Sequence, residues 1–140
     1  MISFTLSNKT YNHNSLPYII AEIGVNHNNS LEEAKKMILS AKNGGATGVK
    51  FQTYKAEKIA AKDSPYYWDL AMEPSTNQYD FFKKWDKFTD NDYIECAKYA
   101  NSIGIDFLST PFDSDSIDFL DPIVPFHKIS SSDITNTPFL

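Results

Sequence analysis

Arginine is absent from the 140 residues: all 13 basic side chains are lysines, set against 18 acidic ones for a formal net charge of −5. Without guanidinium there is no planar, two-pronged donor for phosphate or carboxylate. An anion bound here must be held by ammonium groups, hydroxyls and backbone N–H. The lysines form no basic stripe of the kind duplex nucleic acid requires, so a nucleic-acid partner is not expected. Cysteine is reduced to Cys96 alone, which excludes an internal disulfide and favours a reducing compartment. No apolar run approaches the ~18 residues of a membrane span. Met1 to Asn8 lack the positive start and long apolar centre of a signal peptide. The expected location is cytoplasmic, with no membrane partner. Glycine is sparse, five in all, and none sits in a G-x-G-x-x-G or P-loop pattern that would cradle a nucleotide.

What is present is an alternation of strands and helices. Pro17–Val25, Gly48–Tyr54, Ile105–Thr110 and Phe126–Ser131 are mostly apolar runs that turn polar at their carboxyl ends, the pattern of parallel strands covered on both faces. Between them, Ser30-Leu31-Glu32-Glu33 reads as a capping box. It opens a helix whose Leu31, Ala34, Met37, Ile38 and Ala41 recur at helical spacing until Gly44-Gly45. A second helix starts at Thr89 or Asp90 and stops at Gly104, and a third spans about Ser114 to Leu120 before Pro122. The stretch from Ala56 to Phe88 is too long for a plain loop and rich in aromatics, so part of it, near Gln78 to Lys87, is expected to be helical. Alternating strands and helices with polar groups at every strand tip point to a (β/α)₈ barrel rather than a doubly wound sheet. Four strands make its amino-terminal half, because a complete barrel needs ~250 residues. The fold class expected is therefore α/β, with residues 1–140 the first part of a TIM-barrel domain in a longer protein.

Lys50 and Lys128 lie inside predicted strands, where lysine is rare without a partner. Each either reaches out to water at an edge or points into the barrel lumen to hold an anion. Gln52 shares a face with Lys50, and Ser130 with Lys128. Glu22, between Ala21 and Ile23, is either the ion-pair partner of a strand lysine or a carboxylate held for a sugar hydroxyl or a proton transfer. Ser109-Thr110-Pro111-Phe112-Asp113 marks a strand exit and a helix N-cap, with Thr110 offering a hydroxyl to an oxyanion. His27 has only His13 and His127 for company, so no metal-ligand spacing exists and no residue of this chain is expected to bind metal. Cys96 belongs to the apolar stripe of its helix.

Together, Ile20-Ala21-Glu22-Ile23-Gly24-Val25-Asn26-His27, Gly48-Val49-Lys50-Phe51-Gln52-Thr53, Ser109-Thr110-Pro111-Phe112-Asp113 and Lys128-Ile129-Ser130-Ser131-Ser132-Asp133 resemble the sialic acid synthase family. This family makes nine-carbon acidic sugars from phosphoenolpyruvate. The resemblance implies a (β/α)₈ barrel followed by an antifreeze-like domain, and a homodimer in the full-length protein. It also implies condensation of phosphoenolpyruvate with an N-acyl hexosamine such as N-acetylmannosamine, with release of phosphate. By resemblance, Lys50, Thr110, Lys128 and Ser131 hold phosphoenolpyruvate, Gln52 faces the amino sugar, and Glu22 and Asp133 are the catalytic carboxylates. Asp133 stands where the family often has Glu, and Asn29 where it often has Gly. A divalent metal, Mn²⁺ or Mg²⁺, is implied as cofactor, its ligands outside this chain, so residues 1–140 alone are expected to be inactive. A Schiff-base aldolase using Lys50 or Lys128, and a non-catalytic half-barrel that binds an anionic ligand or a partner, are the alternatives.

Overall fold

The computed structural model describes residues 2–140. It opens with an antiparallel hairpin, β1 (Ser3–Leu6) and β2 (Lys9–Asn12). Ser7 and Asn8 turn it with φ of 47° and 63°, the left-handed pair that a two-residue hairpin turn demands. Then come β3 (Ile20–Gly24), α1 (Leu31–Asn43), β4 (Gly48–Thr53), α2 (Ala56–Ile59), α3 (Gln78–Trp85), α4 (Asp90–Ser102), β5 (Asp106–Pro111) and α5 (Ser114–Leu120). A 3₁₀ turn at Ser131–Asp133 follows. The strands β3, β4 and β5 form one parallel sheet in that order, so three of the four expected strands are present and each pairs with its successor.

The fourth is not. Residues 125–130 form no strand and enter no sheet. Their apolar character serves packing instead: the Phe126 ring meets the edge of Tyr18 at 5.7 Å. Pro122 and Pro125 remove two backbone N–H donors on the approach.

The helices begin where their caps predict. Ser30 accepts from the backbone N–H of Glu33 at 3.3 Å, but Glu33 does not complete the box, because its carboxylate takes the Lys36 ammonium at 2.9 Å. The full reciprocal box occurs on α4, between Thr89 and Asp92. One side chain ties the two helix ends together: Lys42 Nζ donates to the carbonyl of Gly104 at 2.6 Å.

One face of the sheet is the core. Ile23, Val49, Phe51 and Phe107 are buried against Ala34 and Ile38 of α1 and Cys96, Ala97 and Ala100 of α4. Each large apolar side chain so covered is worth about 1.5–3 kcal/mol. Strand alternation sends Glu22, Lys50, Gln52, Leu108 and Thr110 to the other face. The amino-terminal end of that face is plugged. The Tyr18 hydroxyl donates to Asp106 Oδ2 at 2.6 Å, and its ring packs edge-on to Tyr11 of β2. A Cβ on Gly48 would come within 2.8 Å of the Tyr18 oxygen, so a larger residue there would displace the Tyr18 ring. Polar side chains are left to the carboxyl ends of the strands.

Candidate active site

Glu22 and Lys50 are register partners across β3 and β4, and their charged ends form an ion pair. The Lys50 side chain is only 12% exposed and that of Glu22 50%. The lysine is thus sunk in the sheet face, while the carboxylate stays accessible to a ligand. Immediately after Glu22 the register slips by one residue, a bulge of the kind that re-aims side chains beside functional sites. Gly24 sits there with φ of +58°, and a Cβ on it would lie 3.5 Å from Glu22 Oε1 and 3.9 Å from the Gln52 side chain. Glycine satisfies the backbone and keeps this junction open. One residue pair further along, Gln52 and Thr110 are partners across β4 and β5. Thr110 is buried, at 4% exposure. The Gln52 backbone carbonyl accepts from the Tyr93 hydroxyl at 2.8 Å, which pins this strand tip to α4. Glu22, Lys50, Gln52 and Thr110 therefore share one sheet face, with Gln52 and Thr110 toward its carboxyl end.

The residues after α5 are placed differently. Lys128, expected inside a strand, is exposed and donates to the carbonyl of its neighbour Ile129. Ser131 is exposed in the 3₁₀ turn. Without a fourth strand there is no alternation to aim Lys128 or Ser130 at a lumen, and the Ser130 hydroxyl instead meets Ser132 Oγ at 2.8 Å. Asp133 does join the strand tips. It lines a cavity of about 390 Å³ together with Gln52, Lys58, Gln78, Phe82 and Asn136. So the structure brings Gln52 and Asp133 to one space, and leaves Lys128 and Ser131 at the surface.

Four residues of that cavity, Lys58, Ile59, Gln78 and Phe82, come from the aromatic insertion, which the sequence marks only as partly helical. Lys58 is on α2 and Gln78 opens α3 behind the N-cap Asn77. The insertion is braced internally. Trp68 Nε1 donates to the Ser75 carbonyl at 3.0 Å, Gln78 Nε2 to the Pro65 carbonyl at 2.7 Å, and Lys84 pairs with Glu73. Four residues of α2 make too short a segment for periodicity to reveal. The Asn77 cap and the Tyr79, Phe81 and Phe82 run of α3 were the available signal.

Other polar residues near the strand tips are structural. His27 is fully buried, its ring 4.1 Å from that of Phe88 and 5.5 Å from that of Phe51. Neither ring nitrogen has a hydrogen-bond partner, and burial pushes its pKa down to about 4. Thr53 and Ser109 share a buried hydroxyl contact of 2.7 Å between β4 and β5. Burial raises the Cys96 thiol to about 12, in keeping with a core role. Among the described residues, no group of three or more His, Cys, Asp or Glu gathers into a metal site.

A sequence profile of the NeuB family matches residues 37–140. The chain belongs to this family. It is 45% identical over 127 residues to the N,N'-diacetyllegionaminic acid synthase of Legionella pneumophila, covering 88% of this chain and 35% of that protein. It is 36% identical over 127 residues to the N-acetylneuraminate-9-phosphate synthase of Homo sapiens, covering 88% of this chain and 34% of that one. In three dimensions it matches the N-acetylneuraminic acid synthetase of Leptospira borgpetersenii serovar Hardjo-bovis with a TM-score of 0.81 at 29% identity, over 98% of this chain and 44% of that structure. The NeuB segment thus spans about a third of the length of the curated relatives it matches. No helix in it is long and apolar enough to cross a membrane, among the described residues.

Proposed function

We propose that these residues are the first part of a (β/α)₈-barrel synthase that condenses phosphoenolpyruvate with an N-acyl amino sugar to give a nine-carbon acidic sugar and phosphate. The observation that carries this reading is the Glu22–Lys50 pair of β3 and β4, on the same sheet face as Gln52, which in turn lines one cavity with Asp133. The family relatives supply the reaction class: their names are those of legionaminic acid and neuraminic acid synthases.

In this reading the Lys50 ammonium and the Thr110 hydroxyl hold the anionic substrate, fixed donors that need no reorganisation as charge moves. Lys128 and Ser131 join them once the segment after α5 is drawn against the sheet. The nucleophilic methylene carbon of phosphoenolpyruvate adds to the aldehyde carbon of the open-chain sugar. Water adds at the former enol carbon, and phosphate leaves with the bridging oxygen. Glu22, paired yet half-exposed, serves the water or the developing hydroxyl as a proton carrier, while Gln52 and Asp133 orient the sugar. The divalent ion implied by the family resemblance finds no three-ligand set among the described residues, and no step above is routed through it. The full-length protein is proposed to be a cytoplasmic homodimer.

The test is phosphate release by the complete protein from phosphoenolpyruvate with N-acetylmannosamine or a diacetamido hexose, in the presence of Mn²⁺. Release that depends on both substrates is expected. Borohydride treatment with pyruvate separates the aldolase chemistry: a stable adduct at Lys50 or Lys128 would overturn the synthase reading.

A further inference from the structure

No side chain of α3 is fully buried, so core packing does not fix where this helix lies. Its polar side chains are mostly spent inside the insertion: Gln78 on Pro65, Lys83 on Glu57, Lys84 on Glu73. Among the described residues, two hydrogen bonds reach α3 from elsewhere in the chain. The Tyr54 hydroxyl donates to the Phe82 carbonyl at 3.4 Å, and Asn29 Nδ2 donates to the Lys84 carbonyl at 2.9 Å. The second is the shorter, and it falls on one of the last carbonyls of the helix, which have no partner within it. Asn29 thus caps α3 from 55 residues away. The loop that supplies it follows Gly24 and is itself held firmly. Asn26 Nδ2 donates to the Ile23 carbonyl at 2.9 Å, the Asn28 and Ser30 N–H groups close turns onto Val25 and His27, and the His27 side chain is fully buried. Asn29 has a φ of 59°, a left-handed value that glycine adopts freely and asparagine tolerates. The backbone alone does not account for the side chain. Its amide oxygen is buried without a partner, which costs free energy, whereas an amide kept only for the turn would lie in water. The hydrogen bond to Lys84 is what this burial gains.

We propose that Asn29 is a positioning residue for the acceptor half of the site. By tying the carboxyl end of α3 to the loop after β3, it holds Gln78 and Phe82 in place opposite Gln52 and Asp133, with which they line one cavity. The strand that carries Glu22 thereby also places the insertion wall. Lys50 and Thr110 belong to β4 and β5 and not to the insertion, so the anion half of the site does not depend on this tie. The proposal rests on the synthase reading above and adds a residue to that same site.

The experiment measures phosphate release by the complete protein, with KM taken separately for phosphoenolpyruvate and for whichever of N-acetylmannosamine or a diacetamido hexose the parent turns over. Asn29→Gly suits the left-handed backbone at least as well as the parent residue and removes only the tie, so the variant is expected to fold. It should raise the KM for the sugar about fivefold, the loss of one hydrogen bond, and leave the KM for phosphoenolpyruvate and the thermal unfolding midpoint close to parental. Asn29→Asp keeps the size of the side chain and its tolerance of the left-handed turn but has no N–H to donate, and it should raise the sugar KM at least as much. Parental kinetics in either variant overturn the proposal, because the residue then serves the turn or fills space and the donor does nothing. A parallel rise in both KM values with a lowered midpoint also overturns it, since that marks a general structural role; the synthase reading survives each of these results. A parent protein that releases no phosphate with either sugar overturns the synthase reading and this role with it.

Discussion

Glu22 and Lys50 face each other across the first two strands of the parallel sheet, joined as an ion pair in which the lysine is nearly buried and the carboxylate half-exposed. That asymmetry separates their roles. A purely structural pair needs neither member accessible, whereas here the cation is fixed and the anion is presented.

Lys50→Met should weaken phosphoenolpyruvate binding by about 2 to 4 kcal/mol, the cost of one charge-assisted contact to an anion in a sheltered site, with a smaller effect on the amino sugar. Titration calorimetry measures both. Lys128→Met should act in the same direction only if the segment after α5 closes on the ligand, since Lys128 is exposed in the free chain. Phosphoenolpyruvate affinity unchanged in both variants would discard the anion site.

Glu22→Gln keeps size and polarity and removes the negative charge. Turnover should fall while phosphoenolpyruvate affinity and the unfolding midpoint stay close to those of the parent. If instead stability drops by several kcal/mol and the rate per folded molecule is unchanged, the carboxylate is only the structural partner of Lys50.

His27 links stability to pH. Its folded-state pKa of about 4 lies below the ordinary 6.5 because burial disfavours the imidazolium. The unfolded chain takes up the proton near pH 6.5 and the folded chain does not. The His27 contribution is therefore complete above pH 6.5 and is lost as pH falls toward 4, by about 3 kcal/mol in total. Urea unfolding of the parent and of His27→Leu at several pH values between 7 and 4 should show the parent losing stability relative to the variant. Parallel curves would show that the ring is protonated without penalty.

Residues 1–140 alone should not catalyse the condensation. The outer edges of β3 and β5 are unpaired among the described residues, and Ile19 and Ile20 beside the first are 52% and 38% exposed. Such edges and apolar surface recruit further strands or other copies. Light scattering should find association, and the phosphate assay no turnover. A monodisperse monomer with metal-dependent activity would contradict this.

Three strands and the helices α1, α4 and α5 were legible because their signals are local: near-continuous apolar runs at Ile20–Gly24, Gly48–Thr53 and Asp106–Pro111, and caps at Ser30, Thr89 and Asp113. Phe126–Ser131 carries the same apolar signature but pairs with no strand, because strand formation depends on a neighbouring ladder that composition cannot announce. The hairpin of β1 and β2 was legible in principle from the Ser7-Asn8 turn flanked by alternating residues, and was missed. In the site, Glu22, Lys50 and Gln52 could be found because a charged or amide side chain in an apolar strand is conspicuous. Lys58, Gln78 and Asn136 could not, since lysine and amides in polar surroundings are ordinary and only the folded insertion brings them to Gln52.

The most direct measurement of the central claim is product analysis after turnover in ¹⁸O-labelled water by the complete protein, with phosphoenolpyruvate and an N-acyl amino sugar. Condensation by water addition at the former enol carbon and C–O cleavage predicts a nine-carbon acidic sugar carrying the label at that carbon, and unlabelled phosphate. Labelled phosphate with no nine-carbon product would show simple phosphoester hydrolysis and contradict the account.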